Sequence, residues 1–175
     1  MSYLMTIIVP VYNEEANLDR VISTFNDYLS ISTTKSKVLF IDDGSIDQSF
    51  KKIESVCAFN PSFEFIKFSR NFGLSTAIKA GIDHITTPLI GYIDADLQTT
   101  PFDFDLLLSE MKDNTLITGY RGNRKDTINK RIQSKIANFI RRSLINDGII
   151  DTGCPLKIMR TAAVKKIPFF DGMAP

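Results

Sequence analysis

The apolar run at residues 89–101, LIGYIDADLQTTP, ends in three oxygen-bearing side chains, Asp94, Asp96 and Gln98. Asp96 and Gln98 are hard oxygen donors, a set that suits Mg2+ or Mn2+ and suits zinc poorly. A Mg2+ ion is commonly held by one or two protein ligands, with phosphate oxygens and waters completing its shell. A cation bridging a diphosphate would therefore account for ligands at the rim of a sheet. The plain alternative is a surface turn in which Asp96 caps its own loop.

Polar side chains also gather behind four other apolar runs. They are Pro10, Tyr12, Asn13 and Glu14; Asp42, Asp43, Gly44 and Ser45; Ser69, Arg70 and Asn71; and Gly119, Tyr120 and Arg121. Taken singly, an aspartate and a glycine after a strand make a turn and a helix cap. Five such sets point instead to a ligand site, because open α/β sheets bind outside the carboxyl ends of their strands.

A second cluster is basic. Eight Lys/Arg fall between positions 121 and 142, against one acid, Asp126. Arg131, Lys135, Asn138 and Arg142 recur at helical steps, and Ile132, Ile136, Phe139, Ile140 and Leu144 supply an apolar side. Lys130, Arg131 and Ser134 converge near the start of that helix, a set able to bind phosphate.

The elements that must carry these groups follow from periodicity. Strands are expected at 3–11, 37–43, 63–69, 89–94 and 116–120, with a short extended piece at 155–160. Amphipathic helices are expected at 14–29, from Ser45 to about 58, around 74–85, from Pro101 to about 112, and at 129–145. Ser45 and Gln48 form a capping-box pattern, and Thr100 precedes Pro101 as an N-cap would. Alternating strands and helices imply an α/β fold: a mostly parallel central sheet with helices on both faces, in one domain over 1–175.

Bulk properties exclude several classes. The 175 residues are 43% hydrophobic, enough for one sizeable core. No apolar run approaches the roughly 18 residues of a membrane span, and the N-terminus lacks signal-peptide regions. Cys57 and Cys154 make neither a metal spacing nor a disulfide framework, which fits a reducing cytoplasm. His84 is the sole histidine and stands at a helix end away from the strand tips, which disfavours a Ser-His-Asp hydrolase and a histidine-rich metal site. Neither GxGxxG nor GxxxxGK[ST] occurs. Residues 1–120 hold nine Lys/Arg against sixteen Asp/Glu (−7), and 121–175 hold twelve against four (+8). An acidic half beside a basic segment suits a cation site next to an anion site. Nucleic acid is disfavoured, since the acidic half repels it and aromatic interleaving is absent.

The motifs IIVPVYNEEANL, VLFIDDGSIDQS, FSRNFGLSTAIKAGID, GYIDADLQTTP, TGYR, KRIQSKIANFIRR and DTGCPLKIMR stand in this order between about Thr6 and Arg160. The set resembles polyprenyl-phosphate glycosyltransferases, the dolichyl-phosphate mannosyltransferase-like and undecaprenyl-phosphate sugar transferases with a GT-A nucleotide-sugar-binding fold. The resemblance implies an inverting, metal-dependent transfer from a UDP- or GDP-sugar to a polyprenyl phosphate. It implies that Pro10, Tyr12, Glu14 and Asp42 surround the base, with Arg70 and Asn71 nearby. Asp94 and Ala95 would lie beside the nucleotide sugar, and Asp96 and Gln98 would hold Mg2+ or Mn2+. Arg121, Lys130 or Arg131, and Ser134 would receive the acceptor phosphate, with Asp151 lining the acceptor side. The catalytic set so implied is Asp96, Arg121, Arg131 and Asp151. Relatives continue beyond FFDGMAP with an acceptor region and often membrane helices. The implied location is therefore the cytoplasmic face of the membrane, with an anchor in a missing C-terminal part; a homo-oligomer stays open. Two alternatives share these motifs. One is a transferase extending an oligosaccharide or capsule chain with Asp151 as general base, and the other is a nucleotide-sugar-binding module without activity.

Overall fold

The most continuous apolar runs become strands at the centre of the sheet, buried on both faces as parallel sheets require. The computed structural model describes residues 2–119 and 154–168. The chain runs β1 (Met5–Val11), α1 (Glu15–Ile31), β2 (Ser36–Asp42), α2 (Ser49–Phe59), β3 (Phe63–Lys67), α3 (Leu74–His84) and β4 (Leu89–Tyr92). A 3-10 turn (Pro101–Asp103), α4 (Phe104–Ser109), β5 (Leu116–Thr118), β6 (Lys157–Arg160) and a short α5 (Thr161–Val164) complete it. The expected helix at 129–145 lies outside the described residues.

The six strands form one sheet in the order β3-β2-β1-β4-β6-β5. The first four are mutually parallel, while β6 runs antiparallel to both β4 and β5. After β3 the chain crosses back over the sheet to place β4 on the other side of β1. The strand order therefore switches between β1 and β4, the place where open α/β sheets hold ligands.

Alternation along β1 divides the core. Met5, Ile7, Val9 and Val11 face one side, packed with Leu18, Val21 and Phe25 of α1 and Ile53 of α2. Ile8 faces the other, packed with Ala77, Ile78 and Ile82 of α3. A Cβ on Gly81 would stand 2.9 Å from Ile8 Cδ1, so glycine lets α3 lie directly on the sheet. Thr6 and Thr87, both buried, satisfy each other through a 2.9 Å hydroxyl bond.

Three local expectations need correction. Ser45 does not cap α2, because its Oγ accepts the Asn13 N–H at 3.0 Å. Gln48 is the N-cap instead, and Asp47 Oδ1 accepts the Ser49 N–H at 2.8 Å. Thr100 precedes Pro101 as expected but makes no side-chain cap bond, and the helix it opens ends at Ser109, short of 112.

Candidate functional site: a cleft at the strand-order switch

The carboxyl ends of β1, β2 and β3 are sewn together by side-chain to backbone bonds. Asn13, in the left-handed region at φ 55°, accepts the Ile46 N–H at 2.9 Å through Oδ1. Ser49 Oγ accepts the Glu14 N–H at 2.8 Å, and Asp47 Oδ2 accepts the Glu15 N–H at 3.2 Å. Asp47 titrates low: a contribution from burial that raises it is outweighed by hydrogen bonds from Ser49 and the backbone. Asp43 bridges to the loop after β3, its two oxygens accepting the N–H groups of Phe72 at 2.7 Å and Gly73 at 2.9 Å. Gly44 makes that approach physically possible. It sits at φ +72°, and a Cβ there would lie 2.2 Å from the Arg70 carbonyl carbon.

These loops and the end of β4 enclose a cleft of about 390 Å³. Tyr12, Glu14, Asp43 and Asn71, from the loops after β1, β2 and β3, line it together with Asp94, Ala95 and Asp96, which follow β4. Pro10 and Val11, at the end of β1, also line it.

The loop Asp94–Gln98 has an unusual backbone. Leu97 adopts φ 52°, a conformation costing a leucine about 1 kcal/mol. Its side chain packs against the core, and Asp96 Oδ1 accepts the Gln98 N–H at 3.0 Å. From α1, Arg20 donates to the Asp96 carbonyl at 2.9 Å. The turn is thus held from three directions. Tyr92 donates to Asp94 Oδ1 at 2.6 Å. Burial, and then the charges of Asp94 and Asp96, push the Tyr92 hydroxyl well above its ordinary value, so it stays a donor.

The residues singled out in the sequence fall into three groups. Pro10, Tyr12, Glu14, Asn71, Asp94, Ala95 and Asp96 come together around the cleft. Asp42 and Gln98 do not line it. Asp42 is fully buried, with Oδ2 lacking a hydrogen-bond partner, and its neighbour Asp43 takes the cleft position. Gln98 is exposed beside the turn, and Arg70 lies over the Phe72 ring at 4.9 Å. Arg121, Lys130, Arg131, Ser134 and Asp151 lie outside the described residues. Reading the sequence passed over Arg20 and the cleft role of Asp43. Arg20 sits mid-helix with no local signal, whereas the paired aspartates flagged Asp43 without saying which of the two borders the cleft.

Fit to a divalent cation can be judged from the donors present. Asp94 and Asp96 put two carboxylates on one wall of the cleft, and one oxygen of Asp96 is oriented by the Gln98 N–H. Among the described residues, no group of three or more His, Cys, Asp or Glu is gathered for a metal. Such a sparse oxygen set suits Mg2+ or Mn2+, which take further oxygens from phosphate and water.

A mostly parallel α/β sheet with a cleft at its strand-order switch is the architecture of the GT-A fold. The chain belongs to glycosyl transferase family 2, which it matches over residues 6–168. It is 29% identical over 98% of its length to dodecaprenyl-phosphate galacturonate synthase of Rhizobium johnstonii, covering 52% of that protein. It is 30% identical over 89% of its length to undecaprenyl-phosphate 4-deoxy-4-formamido-L-arabinose transferase of Klebsiella pneumoniae, covering 48%. The chain thus spans about half the length of these curated relatives. Its fold matches glucosyl-3-phosphoglycerate synthase of Mycobacterium tuberculosis bound to UDP, with a TM-score of 0.74 and 14% identity over 96% of this chain and 60% of that one. It also matches a mannosyltransferase of Pyrobaculum calidifontis bound to GDP-mannose and Mn2+, with a TM-score of 0.70 and 16% identity over 97% of this chain and 48% of that one.

Proposed function

We propose that this chain is the donor-binding catalytic domain of an inverting transferase that moves a sugar from a nucleoside diphosphate to a polyprenyl phosphate. One observation carries the reading: a single cleft is lined by Tyr12, Asp43 and Asn71 together with Asp94, Ala95 and Asp96. The polyprenyl-phosphate products named for the two curated relatives support the acceptor class.

In this reading Tyr12 and Asp43 meet the base, the former with an exposed ring and the latter as an acceptor for a base N–H. Asn71 lies alongside them, and Asp94 faces the sugar that the donor carries. Asp96 holds Mg2+ or Mn2+, with Gln98 able to join it by turning in from the rim. When bound, such a cation neutralises charge developing on the departing diphosphate. The turn that carries Asp96 is preset by Leu97, Arg20 and the Gln98 N–H, so little reorganisation accompanies the reaction. An acceptor phosphate oxygen attacks the anomeric carbon, and the bond from that carbon to the diphosphate breaks. The acceptor is already an anion near neutral pH and needs no general base. Arg121, Lys130, Arg131 and Ser134 are assigned to hold it, with Asp151 on the same side, in line for displacement.

Purified protein is incubated with UDP- and GDP-sugars, Mn2+ and either undecaprenyl phosphate or a panel of sugar hydroxyl acceptors. Transfer to the lipid phosphate alone supports the reading. Transfer to hydroxyls alone would replace it with a chain-extending transferase.

A further inference from the structure

Asp94 lines the cleft, yet the group that orients its carboxylate comes from inside the sheet. Tyr92 is the last residue of β4 and is 2% exposed. Its hydroxyl donates to Asp94 Oδ1 at 2.6 Å. Behind it, Tyr92 pairs with Lys157 in the antiparallel β4–β6 register, and Lys157 Nζ stands 5.6 Å from the ring centroid. Lys157 is itself only 8% exposed, so a nearly buried cation and the sheet pairing together hold the ring. Phenylalanine would fill the same volume. The hydroxyl is therefore the part that packing does not require, and it is aimed at a cleft carboxylate.

We propose that Tyr92 is a positioning residue: its hydroxyl fixes the plane of the Asp94 carboxylate so that Asp94 meets the sugar-bearing end of the donor. A hydrogen bond to one carboxylate oxygen narrows the orientations open to Asp94 before the donor arrives. The consequence is selective: the sugar nucleotide depends on Tyr92, and the bare nucleoside diphosphate does not. This inference rests on the donor reading of the cleft given above.

The test is calorimetric titration, with Mn2+ present, of UDP, GDP, UDP-glucose and GDP-mannose into wild type, Tyr92→Phe, Asp94→Asn and the double variant. Tyr92→Phe is expected to weaken the sugar nucleotide about tenfold, the ordinary worth of one hydrogen bond to a charged group. The matching free diphosphate should stay within about twofold of wild type. In the Asp94→Asn background, Tyr92→Phe should add less than about twofold, since residues acting through one another are not additive. Equal weakening of both ligands, no weakening of either, or an undiminished loss on top of Asp94→Asn would each overturn the proposal. So would a Tyr92→Phe protein that fails to fold, because the hydroxyl would then be structural. If wild type binds neither nucleotide class, the donor reading itself falls before any variant is made.

Discussion

Removing the Asp43 carboxylate should unfasten the loop after β3 from the end of β2. In Asp43→Ala the N–H groups of Phe72 and Gly73 lose acceptors at 2.7 and 2.9 Å. Hydrogen bonds to a charged group are worth about 1.5–3 kcal/mol each, so full orphaning of both would cost about 3–6 kcal/mol. Water recovers part of this, because Asp43 is 4% exposed whereas Phe72 is 44% exposed and its loop can lift into solvent. A net loss of about 2–3 kcal/mol follows. With a urea dependence of about 1–3 kcal/mol per molar, the unfolding midpoint should fall by about 1–2 M. Asp43→Asn keeps one acceptor and should lose roughly half as much. Equilibrium urea unfolding followed by circular dichroism measures both variants. A midpoint for Asp43→Ala within about 0.2 M of wild type would refute the claim that this carboxylate joins the two loops.

Three further perturbations probe the same region and one control site. Gly44→Ala puts a methyl carbon about where a Cβ would lie 2.2 Å from Arg70 backbone, in a left-handed conformation; a loss of about 2–4 kcal/mol in urea unfolding is expected, and an unchanged midpoint would contradict the close approach. Asp96→Ala should abolish Mn2+-dependent nucleotide binding, while the apo melting temperature falls by no more than about 4 °C, because its bond to the Gln98 N–H is exposed. An apo collapse would make Asp96 structural. Burial, and then the charge of Glu64, pushes the Cys57 thiol up from 9.0 to about 11. The neutral thiol is the favoured form in the fold, so the stability it contributes is complete below pH 9 and is lost as pH rises through about 11. Iodoacetamide labelling of Cys57 should keep accelerating between those values in folded protein but level off near pH 9 in urea; a plateau near pH 9 in the folded state would contradict this.

The central strands were legible because a parallel sheet with helices on both faces buries nearly every position there, leaving apolar runs such as TIIVPV and VLFI. Helices α1 and α3 were legible from apolar spacing alone. The site was partly legible, since polar residues behind apolar runs have no packing reason to recur. What failed depends on contacts distant in sequence. Asp42 and Asp43 read alike in the chain and both are buried, yet only Asp43, just past the end of β2, borders the cleft. Ser45 had the spacing of a cap, yet Asn13, 32 residues away in sequence, takes its hydroxyl. Arg20 reaches Asp96 across 76 residues, and Tyr92 looks like any strand aromatic until its hydroxyl is seen on Asp94. The reversal of β6 was equally hidden, because PLKIMR carries no sign of strand direction.

Anomalous diffraction at the manganese edge, from crystals grown with Mn2+ and UDP or GDP, tests the central claim most directly. The account predicts a peak within about 2.5 Å of an Asp96 carboxylate oxygen, with the diphosphate on the cation's other side and the base between Tyr12 and Asp43. Nucleotide bound in the cleft with no peak beside Asp96, or a peak elsewhere on the molecule, would contradict it.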